Sequence, residues 1–191
     1  VAPGDETMGI AVASMPGLFD ALGAPLVAGR DFTPVEAADT LAAVAIVNRV
    51  LAERLWPGER AVGRRLRVQL AGGTAEWLTV VGVAPELKYD EFGEETPQAR
   101  LQVHVPYARV GRRGMAIVVR TAGDPALLAD AARRTVRALD ATLPAFDVRT
   151  MAEVRRVTTW PWHLWSESFG AFGALACALA GLGVYGVMAY G

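Results

Sequence analysis

The chain has 191 residues, 52% of them hydrophobic, with 19 basic and 20 acidic side chains and a formal charge of −1. That length suffices for one sizeable domain or two small ones, and near-neutrality offers no long-range field for nucleic acid or anionic lipid. A single cysteine, Cys177, and two distant histidines, His104 and His163, exclude an intrachain disulfide and give no zinc-ligand spacing.

A chain that opens on Val1 rather than Met is expected to be a fragment of a longer protein. Along it, "MGIAVASM" (8–15) reads as a strand, "PGLFDALG" (16–23) as a short helix stopped by Gly23, and "APLVAGRDF" (24–32) as a second extended segment. Thr33 to Thr40 reads as a polar connection. "VAIVN" (44–48) is a strand whose Asn48 can cap a helix over 49–56. Val47, Leu51 and Leu55 line one side of that helix, and Arg49, Glu53 and Arg54 face water. Trp56-Pro57-Gly58 ends it. "RRLRVQL" (64–70) alternates charged and apolar residues, the mark of a half-exposed strand. Gly72-Gly73 turns it into "WLTVVGVA" (77–84), a central strand.

The acidic run "PELKYDEFGEETPQAR" (85–100) is a loop. "LQVHVPY" (101–107) is a strand with Leu101, Val103 and Val105 inward and Gln102 and His104 outward. After a turn at 110–114, "MAIVVRT" (115–121) is again a strand, and Asp124-Pro125 starts a helix with an N-cap and an N1 proline. Leu128, Ala132, Thr135, Val136 and Leu139 share one face of it. A short strand "FDVRT" follows, and then Thr150 and Glu153 stand at the spacing of a capping box, opening a helix toward Trp160, Trp162 and Trp165.

Every charged residue lies at or before Glu167, and residues 169–191 are 23 without a charge. A helix of that length spans roughly 35 Å, against about 30 Å of bilayer core. Gly173, Cys177 and Gly181 make a small-residue stripe suited to close packing in lipid, and the tryptophans stand where an interfacial belt belongs. The fold class expected is α+β: a repeated βαβ unit with an inserted β-rich subdomain, followed by one C-terminal transmembrane helix. Residues 1–35 and 115–150 form the βαβ subdomain, 36–114 the insertion, 151–168 a connecting amphipathic helix and 169–191 the membrane helix.

The chemical motifs are weak. Arg60, Arg64, Arg65 and Arg67 stand beside Gly58 and Gly63, but the P-loop order is missing and the helix precedes the glycine, so no helix N-terminus faces a phosphate. They read as an Arg comb on a solvated β-edge. Glu86, Asp90, Glu91, Glu94 and Glu95 lack EF-hand spacing, and no G-x-S-x-G occurs. No catalytic residue, metal ligand or cofactor site is expected, and no enzyme.

"PGLFDALGAPLVAGRDFT" (16–33), "VAIVNRVLAERLWPGERAVGRRLRV" (44–68), "WLTVVGVAPELKYD" (77–90), the stretch 115–151 and "GLGVYGVMAYG" (181–191) together resemble the extracytoplasmic core domain and following membrane helix of MacB/FtsX-type ABC transporter permeases. The likeness is nearest to the duplicated permeases of acidobacterial type. The chain departs slightly at Met15-Pro16-Gly17-Leu18-Phe19, where the family pattern has Ser-Pro-Gly-Tyr-Phe. The resemblance implies a porter-like βαβ part and a β-rich insertion on the periplasmic side of a bacterial inner membrane. It also implies a separate or fused ABC ATPase subunit as partner, lipid around 169–191, a second permease half or a homodimer, and no nucleic acid. Its function would be to couple cytoplasmic ATP hydrolysis to periplasmic conformational change and cargo export or release. Thr150, Glu153, Trp160, Trp162 and Trp165 are the expected coupling residues. The alternatives are a membrane-anchored binding or sensory domain without transport, and a soluble α+β enzyme with a hydrophobic C-terminal helix.

Overall fold

The computed structural model describes residues 9–70, 73–87, 100–110, 114–144 and 146–154, with residues 172, 173, 176, 179, 180 and 188. They fall into two compact units, one ending at Ala122 and the other beginning at Gly123.

The first unit is built on a mixed six-stranded sheet. In chain order its elements are β1 (Ile10–Ser14), α1 (Leu18–Ala21), β2 (Ala28–Gly29), α2 (Pro34–Ala38), β3 (Val44–Asn48), α3 (Arg49–Leu55), β4 (Arg65–Gln69), β5 (Ala75–Ala84) and β6 (Gln102–Pro106). The sheet runs β1-β6-β3-β5-β2, and β4 also pairs with β5. β1 lies parallel to β6 and β3 parallel to β5, while β6–β3, β2–β5 and β4–β5 are antiparallel. β3 takes one flank of β5, so β2 at Val83 and Gly82 and β4 from Thr79 to Ala75 share the other. This is the mixed α+β architecture expected. The β1–β6 and β2–β5 pairings join residues 10–29 and 44–106 in one sheet across the expected boundary at 36.

Alternation along β3 explains the core. Ala45 and Val47 point to one face, where they meet Leu51, Ala52, Trp56, Leu66, Leu78, Val80, Val103 and Val105. Ile46 points to the other, with Phe19, Phe32 and Ala84. Both faces are therefore covered, as parallel pairing in a sheet interior requires. Gly29 and Gly82 are register partners. A Cβ on Gly29 would lie 2.2 Å from the Val81 carbonyl oxygen, and one on Gly82 2.5 Å from that of Arg30. Gly29 also has φ +79°, so the close approach of β2 to β5 depends on both glycines.

Three expectations are corrected. The stretch Thr33 to Thr40 is not just a connection: it contains α2, with Thr33 as N-cap, Pro34 at its first position and Glu36 closing a capping box. Gln102 and His104 do face away from Leu101, Val103 and Val105, but they are buried, because α1 and the segment after β5 cover that face. Residues 115–121 and 146–150 form no strand and are mostly exposed. In the second unit, Asp124 caps as expected, accepting the Ala126 N–H at 2.9 Å. A 3-10 turn, Pro125–Leu128, then leads into α4 (Ala129–Leu139). Among the described residues no helix is long and apolar enough to cross a membrane. Within 169–191 only residues 172, 173, 176, 179, 180 and 188 are described, and each is helical.

Candidate functional site

Residues 44–68 form the centre of the fold. Asn48 ends β3 and caps α3, its Oδ1 accepting the Leu51 N–H at 3.1 Å. The same oxygen accepts the Gln102 N–H at 3.3 Å, and Nδ2 donates to the Arg100 carbonyl at 2.7 Å. This buried amide thus joins a helix start to the beginning of β6, spending its polar atoms on backbone. Leu51 is buried and Leu55 half-buried, as the spacing predicts, with Ala52 and Trp56 buried as well, while Arg49, Glu53 and Arg54 face water. Gly58 and Gly63 adopt φ of +72° and +88°, turning the chain from α3 into β4.

The arginines of this stretch are each exposed. Arg64 pairs with Glu59, Arg65 lies 5.4 Å from the centre of the Trp77 ring, and Arg60 and Arg67 are exposed. β4 alternates exposed and covered positions on the flank of β5, the β-edge that the sequence suggests.

The "GRDF" segment is a second joint. The Asp31 carboxylate accepts the N–H groups of Gly17 at 2.8 Å and Phe32 at 2.7 Å, tying α1 to the chain after β2. Arg30 forms a two-bond ion pair with Glu36, at 2.8 and 2.7 Å. Those bonds, with the Thr33 contacts, hold the Glu36 carboxyl down at about 2. Arg109, whose side chain is largely buried, donates to the Ala42 carbonyl at 2.9 Å and pairs with Glu76. Neither the Asp31 tie nor the Arg109 tie had a local sequence signal, because the partners lie 14 to 67 residues away.

On β6, the His104 ring stacks edge-on to Phe19 with centroids 5.0 Å apart, and burial pushes its pKa down to about 4. A cavity of about 580 Å³ lies between β1, the start of α1, Tyr107 and residues 114–118. Among the described residues its lining is apolar apart from the side chains of Ser14 and Tyr107.

Of the expected coupling residues, Thr150 and Glu153 come together. Thr150 Oγ1 accepts the Glu153 N–H at 3.2 Å, and the Glu153 carboxylate accepts the Thr150 N–H at 2.8 Å. A helical turn follows over 151–154, with Val154 N–H bonded to the Thr150 carbonyl at 3.0 Å. Trp160, Trp162 and Trp165 lie outside the described residues. Of the loop acids, Glu86 pairs with Arg100 at 3.0 Å, and Asp90, Glu91, Glu94 and Glu95 lie outside the described residues.

A family model described as the MacB-like periplasmic core domain matches residues 2–137. The chain belongs to that family. Two solved structures are also similar: the periplasmic region of MacB from Actinobacillus actinomycetemcomitans and the extracellular domain of the ABC-type transporter YknZ from Gram-positive bacteria. The first is 15% identical with a TM-score of 0.43, covering 64% of this chain and 53% of that one. The second is 20% identical with a TM-score of 0.41, covering 71% and 66%. The chain therefore spans about half to two thirds of the lengths of these domains. No curated protein matches the sequence. The signature stretches now have physical content: the "GRDFT" run carries the Asp31 tie to Gly17, the Arg30–Glu36 ion pair and the Thr33 cap, and N-x-x-L-A-x-x-L-W-P-G is the capped helix with its core face.

Proposed function

We propose that this MacB-like domain is the extracytoplasmic part of an ABC permease subunit in a bacterial inner membrane, with residues 1–168 on the periplasmic side and 169–191 crossing the bilayer. Its partner is a separate or fused ABC ATPase, and its task is to turn cytoplasmic ATP hydrolysis into periplasmic movement that exports or releases cargo, with a second permease half or another copy beside it. The domain does no chemistry of its own. Residues 1–35 with 115–150 are the porter-like part and 36–114 the insertion. Strand pairings cross residue 36, so the two parts share one sheet.

The observation that carries the coupling reading is the reciprocal cap of Thr150 and Glu153. It fixes the start of a helix at Met151, 18 residues before an uncharged run, 169–191, long enough to span a bilayer. A stiff connector between domain and membrane transmits rigid-body motion, and a flexible one does not. In the full transporter, a Gly-Ser insertion between Arg156 and Val157 should abolish cargo movement while sparing basal ATP hydrolysis by the partner. Transport unchanged by the insertion would make the segment a passive tether and favour the anchored binding or sensory domain.

A further inference from the structure

The arginines of β4 do not form a phosphate cradle, but their placement on the sheet edge has a use. Among the described residues β4 pairs only with β5. The Val80 N–H bonds to the Arg64 carbonyl at 2.8 Å. Backbone groups alternate in direction along an antiparallel strand, so those of Arg65, Arg67 and Gln69 point away from β5, to the open edge. Side chains alternate as well. Leu66 and its partner Leu78 are buried, which puts Arg65 and Arg67 on the opposite face with Trp77, the register partner of Arg67. Two consecutive open-edge positions therefore each carry a guanidinium, spaced about 6.8 Å along the strand.

Among the described residues neither Arg65 nor Arg67 has a carboxylate partner, and the nearest acids in sequence are engaged elsewhere, Glu59 by Arg64 and Glu76 by Arg109. Trp77 remains 51% exposed beneath Arg65. Charges on an edge strand also serve to repel unwanted pairing. Repulsion alone accounts for the arginines, but not for a tryptophan left half in water between them. Trp and Arg together are the residues that most often carry binding energy at protein interfaces.

We propose that the open edge of β4 accepts an extended segment of a partner protein with carboxylates at alternate positions. The segment adds to the sheet by main-chain hydrogen bonds, and its acids meet Arg65 and Arg67 on the face that carries Trp77. A second copy of β4 is refused, because it would bring arginine against arginine.

The probe is a capped peptide, Thr-Glu-Val-Glu-Val-Glu-Thr, titrated by calorimetry into the whole 191-residue chain in a neutral detergent. Saturable binding is expected, weakening as salt rises, and at least tenfold weaker with Arg65→Glu/Arg67→Glu. The milder Arg65→Gln/Arg67→Gln should weaken it in the same direction, and circular dichroism confirms that each variant is folded. The same peptide with lysine for glutamate should not bind. Of two peptides N-methylated on alternate amides, one in each phase, one should bind and the other should not, the signature of strand addition. The proposal is overturned by absent saturable binding, by binding that survives charge reversal, or by equal behaviour of the two methylated peptides. It is also overturned if phosphatidylglycerol vesicles are bound and the peptide is not, or if Arg65→Thr/Arg67→Thr makes the chain self-associate while the wild type ignores the peptide. That last outcome would reduce the arginines to guards against aggregation.

Discussion

Acid should loosen the sheet through His104 well before it touches the carboxylates. The ring is fully buried against Phe19, and its pKa falls from 6.5 to about 4 because burial disfavours the charged form. In the unfolded chain the imidazole takes up a proton as pH drops below 6.5, whereas in the fold it stays neutral until about 4. The unfolded state thus binds more protons throughout that window. Stability is fully present above pH 6.5 and is lost as pH falls toward 4. Integrating the two titrations gives a loss of about 2 kcal/mol at pH 5 and about 3 kcal/mol at pH 4. Urea titrations followed by far-UV circular dichroism at pH 7, 6 and 5 measure it. The control is His104→Leu, which removes the titration whatever it does to absolute stability, so the slope against pH is the quantity to compare. Glu36 does not interfere, because its stabilising contribution is lost only below 4.5, toward its folded pKa of about 2. A flat wild-type profile between pH 7 and 5, or an equal slope in His104→Leu, would refute the burial argument.

Asn48→Ala removes a helix cap and two ties to β6 at once, and should cost about 2–4 kcal/mol in urea unfolding. Asn48→Asp, which keeps the cap but not the donor to Arg100, should fall between that variant and wild type. Gly82→Ala should destabilise by more than about 1 kcal/mol, because the new methyl meets the Arg30 carbonyl, whereas Gly114→Ala, with open space around it, should not. The triple change of Arg60, Arg64 and Arg65 to Gln should shift stability by no more than about 0.5 kcal/mol per site and leave no ATP binding to lose. Thr150→Ala should fray the helix start by about 0.5–2 kcal/mol, read as faster amide exchange at Val154.

What the sequence reveals is local, and what it hides is long-range. β3 with its Asn48 cap, the stop at Trp56-Pro57-Gly58, the alternation of β4 and the strand β5 are all readable, because period, cap and turn lie within one window. α2 escapes because a helix of five residues shows no periodicity, although Thr33 and Glu36 stand at the same spacing as Thr150 and Glu153. On β6 the alternation is legible and the burial is not. Whether the face carrying Gln102 and His104 meets water depends on α1 and on the chain after β5, which the strand's own residues do not encode. Residues 115–121 have the composition of a strand, yet strand formation needs an edge to pair with, and composition does not specify one. The residues expected to couple domain and membrane divide in the same way. Thr150 and Glu153 satisfy one another within a turn and are legible as a cap, while the role of the tryptophans depends on what surrounds them.

The buried polar residues also anchor the described ends of the acidic segment that joins β5 to β6. At its neck, Leu87 is held by Gln102 through two bonds, its N–H donating to the side-chain oxygen at 3.3 Å and its carbonyl accepting from the side-chain nitrogen. Glu86 pairs with Arg100 at 3.0 Å, and the Arg100 carbonyl accepts from Asn48. Both ends of the loop are thereby fixed to β6 and to the start of α3 by directional contacts. A hydrogen bond adds a directional constraint, because it weakens steeply as its distance and angle depart from the optimum. Closing entropy grows slowly with length, so once the neck is set, the number and charge of the residues between positions 87 and 100 can change at little cost to the sheet. Asn48 and Gln102 thus hold both described ends of this segment on the sheet by directional contacts.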